Sequence, residues 1–158
     1  MQTFQDLLAT LHELHADIEQ AIAGLPQEAL DWQPGPNMNS IGVLIAHVTG
    51  AERYWFGDVI MGEPSHRDRE AEFRARGLDA IAWQKRLAES EAYAQKALAT
   101  LTLPDLETLR TFPRDGRKIT VAWSLGHILE HTALHAGHIQ ITRQLWEQKG
   151  DKHATKTK

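Results

Sequence analysis

The sequence predicts an all-α fold, a four-helix bundle, on three observations. Four stretches of roughly twenty residues or more carry apolar side chains every three or four positions, which is the period of an amphipathic helix. Glycine and proline separate these stretches, and connections of about fifteen residues predict long crossover connections instead of tight turns. A chain of 158 residues suits one domain with a sizeable core. We therefore expect a single bundle domain over residues 1–149 and a polar tail over residues 150–158.

The first predicted helix runs from a cap at Thr3 to about Ala23. Gly24 and Pro26 then end it, because neither residue continues a helix well. The connection that follows contains one predicted helical turn at Gln27 to Leu30.

The second predicted helix runs from Ile41 to about Met61. Asn39 or Ser40 is placed to cap its first turn, and Gly62 is placed to end it. This helix has one apolar face along most of its length, so we expect that face to pack in the core.

Residues 62–77 are dense in charge of both signs and are interpreted as a solvated loop with one helical turn near Glu70 to Arg76. Arginines in this segment could attract an anionic substrate, but acidic neighbours reduce their field, so a solvated surface is the preferred interpretation. The third predicted helix starts at Asp79 and extends to the neighbourhood of Pro104. The arginines of the charged segment are Arg67, Arg69, Arg74 and Arg76.

A small hairpin is predicted before the fourth helix. Asp115-Gly116 is a turn signal, and the extended candidates Leu109 to Phe112 and Lys118 to Ile119 flank it. Thr120 is then placed to cap the fourth helix, and Gly150 to end it. We expect the polar residues after Gly150 to be disordered.

Composition excludes several classes of function. The 17 basic and 21 acidic residues leave a net charge of −4, which opposes binding to nucleic acid. No apolar run approaches the length of about 18 residues that a membrane span needs, and the amino terminus lacks a secretory pattern, so we expect a cytoplasmic protein. The chain has no cysteine. A metal would therefore need imidazole or carboxylate ligands, and chemistry at sulfur would need a thiol cosubstrate.

Four of the nine histidines lie on one face of the fourth predicted helix. His127, His131, His135 and His138 have helical spacing, and at about 100° per residue they fall within an arc of roughly 80°. Apolar residues share this arc, so we expect the helix to bury it. Buried imidazoles need partners, which can be carboxylates, carbonyls, water or a shared metal ion, and His131 and His135 have the spacing of two ligands one turn apart. The apolar residues of the arc include Leu134, Ile141 and Leu145.

The second helix offers two further candidates. His47 lies at the flank of the apolar arc, where it could meet a neighbouring helix as a metal ligand. Glu52 lies near the middle of that arc, where a carboxylate is costly unless it is paired. It could orient a ligand imidazole, lie at a dimer seam, or reach solvent from the edge. His12 and His15 of the first helix are interpreted as core or boundary residues.

Two segments resemble a known family. The second helix reads NSIGVLIAHVTGAERYW from Asn39 to Trp55, and the fourth reads TVAWSLGHILEHTALHAGHI from Thr120 to Ile139. With the connection LDWQPGP and the Asp-Gly turn, they resemble the DinB-like (DinB/YfiT) superfamily of metal-binding four-helix bundles. Each motif alone is modest, but their order and spacing are specific and extend over nearly the whole chain.

The resemblance implies a metal triad and a homodimer. In this superfamily, one histidine of the second helix and an HxxxH pair of the last helix bind a divalent metal, and the matching residues are His47, His131 and His135. Relatives commonly continue with glutamine where this chain has His138, so His138 could be an additional ligand or a residue that orients one. His127 precedes the pair by one turn, as in many relatives.

The resemblance also implies an enzyme that uses a low-molecular-weight thiol. Three imidazoles leave an open position on a divalent ion, and they suit zinc or nickel best, with iron or manganese as alternatives. We expect a thiol-dependent S-transferase that acts on a small electrophile. A metal-dependent hydrolase and a non-catalytic, metal-binding stress-response bundle are the alternatives. The candidate catalytic residues, which would orient groups or transfer a proton, are Glu52, His127 and His138.

Overall fold

Four long helices form the body of the protein. The structure is a computed structural model that describes the backbone of residues 2–154 and the side chains of residues 2–149. The prediction of an all-α bundle is confirmed. The helices, long and short, are α1 (Gln2–Ile22), α2 (Gln27–Asp31), α3 (Ile41–Tyr54), α4 (Arg69–Glu72), α5 (Ala80–Thr100) and α6 (Val121–Ala154).

Two of the three connections between the long helices cross the bundle diagonally. Helix α1 packs against α5 and α6, and α3 packs against the same two helices. Consecutive long helices α1 and α3 therefore lie at opposite corners, and so do α5 and α6. This arrangement needs long connections, and the predicted crossover topology is confirmed.

The helix ends follow the predicted local chemistry. The side chains of Ser40 and Asp79 each accept a hydrogen bond from a backbone N–H three residues later, and they cap α3 and α5. Helix α3 continues as a π-helix, Trp55–Met61, which ends at Gly62 with a φ of 70°. Glycine adopts this left-handed conformation without the clash that a Cβ atom would cause.

The predicted hairpin lies between α5 and α6. Strand β1 (Leu109–Thr111) pairs antiparallel with β2 (Lys118–Thr120). Phe112, directly after β1, stacks on Trp55 with 5.0 Å between ring centroids and 5° between ring planes. This contact holds the hairpin against the π-helical extension of α3.

A polar layer divides the core into two hydrophobic clusters. His15, Glu52, Ser90 and Thr132 are buried at this level, and each long helix contributes one of them. Apolar burial on both sides of the layer supplies the main stabilisation of the bundle. The clusters include Leu11, Trp55, Leu98 and Ile128 on the side of the hairpin, and Ile18, Ile45, Trp83 and Ile139 on the other.

The face of α6 that carries the histidines is only partly buried, so the prediction that the helix buries this arc is wrong. Leu134 and Ile141, which were expected in the core, are 55% and 54% exposed. The buried side contains Thr132 and Ala136, whose weak apolar signal does not mark it in the sequence. The histidines therefore lie at the edge of the buried side, where solvent can reach them. The buried residues of α6 include Leu125, Ile128, Thr132, Ala136 and Ile139.

Helix α6 extends to Ala154, beyond its predicted end at Gly150. The rest of the predicted disordered tail, residues 155–158, lies outside the described residues. The domain boundary at residue 149 and the homodimer stay predictions. In the described part of the chain, every helix is too short or too polar to cross a membrane.

Candidate metal centre

Three histidine side chains converge where α3 packs against α6. One ligand nitrogen from each of His47, His131 and His135 lies within 4.8 Å of the other two. The Nε2 atoms of His47 and His131 are 3.2 Å apart. Two nitrogens bound to one tetrahedral zinc ion, at about 2.0–2.1 Å each, are separated by about 3.3–3.4 Å. The spacing therefore fits a shared divalent ion.

Helix geometry produces this convergence. His131 and His135 are one turn apart on α6, and their ring centroids are 4.5 Å apart. The ring of His47, on the adjacent helix α3, lies 5.0 Å and 5.1 Å from those two rings. Three imidazoles from two rigid helices form one nitrogen-lined face and leave the other side open to a ligand.

The two histidines of α6 are held in the neutral form. Partial burial and the adjacent imidazoles lower the pKa of His131 to about 3. The same two causes lower the pKa of His135 to about 4. Protonation would place like charges side by side in a partly dry environment. At neutral pH both rings therefore keep a nitrogen lone pair that can bind a metal.

A carboxylate behind His47 orients its ring. Glu72 of α4 accepts a hydrogen bond from His47 Nδ1 at 3.0 Å, and Arg67 donates to both Glu72 oxygens at 2.6 Å and 2.8 Å. Burial opposes ionisation of Glu72, but the hydrogen bonds from Arg67 and His47 outweigh it and lower the pKa of the carboxyl group. The ionised carboxylate keeps the His47 proton on Nδ1, which leaves Nε2 for a metal.

Gly50 makes room for this carboxylate. It follows His47 by about one turn of α3, and a Cβ atom at this position would overlap the carboxylate of Glu72. A residue without a side chain therefore lets α4 approach α3 closely enough for the hydrogen bond to His47.

A cavity of about 650 Å³ opens over His47 and His131, and its size is typical of small-molecule sites. Tyr54, Trp55 and Phe112 form an aromatic part of its wall. A second cavity, of about 450 Å³, contains none of the three histidines among its lining residues. The first cavity therefore gives a small molecule access to two of the three histidines, His47 and His131.

Glu52 lies in the core instead of at the metal centre. It is 2% exposed and accepts hydrogen bonds from His15 Nε2, the Ser90 hydroxyl and the Thr132 hydroxyl. Among the described contacts, none joins Glu52 to the three converging histidines. The interpretations of Glu52 as an orienting group for a ligand, a dimer-seam residue or a solvent-exposed residue are therefore wrong. Glu52 orients His15, which is a core histidine as expected.

His127 and His138 flank the pair on α6 and do not join the ligand group. His127 lines the cavity, and its ring lies 4.8 Å from Trp55 and 5.1 Å from Trp123. His138 is exposed, and its Nδ1 lies 3.4 Å from Nδ1 of His135. A proton on His135 Nδ1 would bridge this contact and leave His135 Nε2 for a metal, so the geometry favours an orienting role for His138 over ligation.

The sequence-based prediction missed Glu72 and Arg67. Both lie in the charged segment that was interpreted as a solvated loop, and the structure places this part of it against α3. One signal was present: Asp68 caps the short helix α4, and the lone aromatic Phe73 follows it. The Phe73 ring packs 5.3 Å from that of His47. An aromatic residue after a capped turn indicates that a charged segment packs on the bundle.

Comparison with protein families agrees with this architecture. The family model for mycothiol-S-transferase matches residues 6–148. The chain belongs to the mycothiol-S-transferase family. This family is DinB-like, so the match confirms the resemblance that the motifs of α3 and α6 indicated.

A solved structure supports the fold of this mycothiol-S-transferase family member. The chain is similar to the crystal structure of a conserved protein from Enterococcus faecalis, with a TM-score of 0.74 and 16% sequence identity. The similarity covers 92% of this chain and 97% of that one. At this identity the likeness establishes the fold alone. No curated protein matches the chain.

Proposed function

We propose that the protein is a divalent-metal-dependent S-transferase that joins a low-molecular-weight thiol to a small electrophile. The observation that carries the proposal is the convergence of His47, His131 and His135 in a member of the mycothiol-S-transferase family. The family name makes mycothiol the first thiol to test.

The donor set fits a divalent ion at this place. The three nitrogens suit zinc or nickel best, with iron or manganese as alternatives. A divalent ion bound there would lower the pKa of a thiol at its open position and so supply a thiolate near neutral pH. The chain has no cysteine, so the reacting sulfur belongs to the cosubstrate.

The surrounding residues hold the imidazoles and handle protons. Glu72 keeps the proton of His47 on Nδ1, and Arg67 keeps Glu72 ionised. His138 is the candidate that orients His135 through the contact between their Nδ1 atoms. His127 is the candidate for proton transfer, because it lines the cavity and its ring centroid lies 5.9 Å from that of His131. Glu52 is hydrogen-bonded in the core to His15, Ser90 and Thr132, so it is placed neither to orient a ligand histidine nor to transfer a proton.

Activity at defined metal content tests the proposal. We expect zinc-loaded or nickel-loaded protein to alkylate the sulfur of mycothiol with iodoacetamide, with release of iodide and the thiol proton, faster than a protein-free mixture with the same metal. Chelator-treated protein and the His131→Ala variant should show only the background rate. The matched control is His12→Ala, because His12 is 67% exposed and pairs with Glu91 away from the triad.

Two results would contradict the proposal. Turnover of an ester or amide without any thiol would indicate a metal-dependent hydrolase. Metal binding that raises the melting temperature, without transfer from mycothiol or another thiol, would indicate a non-catalytic metal-binding bundle.

A further inference from the structure

The cavity at the metal centre is lined by cationic side chains. Arg67, Arg69, Arg114 and Arg117 all line it, and none of its described lining residues is a carboxylate. The whole chain, in contrast, has a net charge of −4. Positive charge is therefore concentrated at this cavity in a way that composition does not reveal.

Two of these four arginines already have a carboxylate partner. Arg67 is paired with buried Glu72 at 2.6 Å, and that pair holds His47 in place. Arg117 Nε lies 3.5 Å from Asp115 Oδ2, where both side chains are half exposed. Their charges are at least partly offset within the protein.

The other two arginines, Arg69 and Arg114, form no ion pair with any carboxylate in residues 2–149. The guanidinium of Arg69 lies over the Phe73 ring, 4.8 Å from its centroid, and that contact leaves its charge uncompensated. Both side chains are exposed at the cavity and can therefore reach a bound molecule.

Two anchored segments bring these guanidinium groups to the site. Arg69 is the first residue of α4, which the hydrogen bond between Glu72 and His47 ties to the metal centre. Arg114 lies in the turn of the hairpin, which the stack of Phe112 on Trp55 ties to α3. Arg74 and Arg76 come from the same charged segment as Arg69, but they line a separate hollow that lacks all three histidines.

We propose that the molecule bound in this cavity carries an anionic group, a carboxylate or a phosphate, that Arg69 and Arg114 bind. This inference rests on the proposed transferase function and names its substrate class. Guanidinium groups bind these anions through paired, charge-assisted hydrogen bonds. The anionic group belongs either to the thiol or to the electrophile, and two arms of one experiment separate these sources.

The first arm compares two thiols that differ in one charge. Titration calorimetry measures binding of N-acetylcysteine and of its neutral amide to zinc-loaded protein at low salt. The two thiols also differ in acidity, which affects binding in every variant alike. The readout is therefore the change in the ratio of their dissociation constants from the parent protein to the variant. If the thiol carries the anionic group, the double variant Arg69→Gln, Arg114→Gln raises the dissociation constant of N-acetylcysteine about tenfold relative to that of the amide. This is the change expected for the loss of a charge-assisted hydrogen bond. The control Arg74→Gln leaves the ratio unchanged.

The second arm compares two electrophiles with the neutral amide thiol held constant. The rates of transfer to iodoacetate and to iodoacetamide are measured above the protein-free background. If the electrophile carries the anionic group, the double variant lowers the ratio of the iodoacetate rate to the iodoacetamide rate about tenfold. Arg74→Gln again serves as the control.

A shifted ratio in either arm supports the inference and identifies which substrate is anionic. Ratios that the double variant leaves unchanged in both arms overturn it, and in that case the neutral thiol still binds and the transferase function stands. Zinc-loaded protein that binds neither thiol and transfers neither these thiols nor mycothiol to either electrophile overturns the proposed function, and this inference with it.

Discussion

The three converging histidines and the polar layer of the core, called the core cluster below, both use residues of α3 and α6, but for different purposes. The candidate metal centre takes His47 from α3 and His131 from α6. The core cluster takes Glu52 from α3, five positions later, and Thr132 from the next position of α6. In the core, His15 contacts a carboxylate, whereas at the metal centre His131 contacts other imidazoles. Neighbouring positions on the same two helices therefore supply two chemically different sites.

The surroundings of each ring determine its charge. Burial opposes protonation of His15, but the hydrogen bond to Glu52 and the charges of Glu52 and Glu91 outweigh it and raise the pKa of His15. Burial and the adjacent imidazoles instead lower the pKa of His131 to about 3. A buried histidine is easier to protonate where carboxylates surround it, and it stays neutral where other imidazoles do.

The largest expected effect is on stability, at the core cluster. Glu52→Ala leaves His15, Ser90 and Thr132 without their shared acceptor, so we expect it to lower the free energy of unfolding by about 3–5 kcal/mol. Urea denaturation of metal-free protein measures this loss. The fraction that stays folded should bind zinc with the parent affinity, and a large loss of zinc affinity in folded Glu52→Ala would show that the two clusters are not separate.

The next effect is on metal affinity. Glu72→Gln removes the charge that fixes the His47 tautomer, and we expect it to weaken zinc binding about 10- to 100-fold. Competition with a coloured chelator measures the affinity. Glu70→Gln is the matched control, because Glu70 lies on the same short helix and is exposed. Equal zinc affinities for Glu72→Gln and Glu70→Gln would show that Glu72 does not orient His47 for metal binding.

A smaller effect on the same affinity is expected from Gly50→Ala. The added methyl group displaces the Glu72 carboxylate from His47, so zinc binding should weaken by up to about tenfold, toward the lower end of the loss expected for Glu72→Gln. Gly137→Ala on α6 is the control, because a Cβ atom there meets no neighbouring atom. Unchanged zinc affinity in Gly50→Ala would contradict the claim that the close approach of α4 to α3 is needed to orient His47.

The pH dependence of stability should have opposite signs at the two clusters. The lowered pKa values of His131 and His135, about 3 and about 4, mean that unfolded chains bind more protons below about pH 6.5. Metal-free protein should therefore lose stability as the pH falls from about 6.5 toward 4.

The raised pKa of His15 contributes stability that is present below about pH 6.5 and is lost as the pH rises through the pKa of His15 in the folded protein.

Urea denaturation of metal-free protein across this pH range separates the two contributions. His131→Asn should reduce the acid-side loss of stability, and His15→Asn should reduce the alkaline-side loss. If His131→Asn steepened the acid-side loss instead, the neutral state of the triad would be refuted.

The long helices, the hairpin and the pair His131 and His135 could be predicted from the sequence, because they depend on local spacing. Helical periodicity located the four long helices, and the Asp-Gly turn located the hairpin. The spacing of His131 and His135 indicated a ligand pair, while the choice of His47 came from the family resemblance.

The features that were missed depend on contacts between distant segments. Glu72 reaches His47 across 25 positions, and it does so only because Gly50 leaves space. The partner of Glu52 is His15, 37 positions away on another helix. The buried side of α6 contains Thr132, which a helical wheel counts as polar. Spacing along one helix does not reveal such pairings.

Titration calorimetry with zinc, which gives both stoichiometry and affinity, tests whether the three converging histidines form a metal centre. We expect one zinc ion per chain in the parent protein and its loss in His47→Ala, His131→Ala and His135→Ala. We expect parent-like binding in His12→Ala. A parent that binds no zinc or nickel, or a folded triad variant with the parent affinity, would contradict the assignment of these histidines as a metal centre.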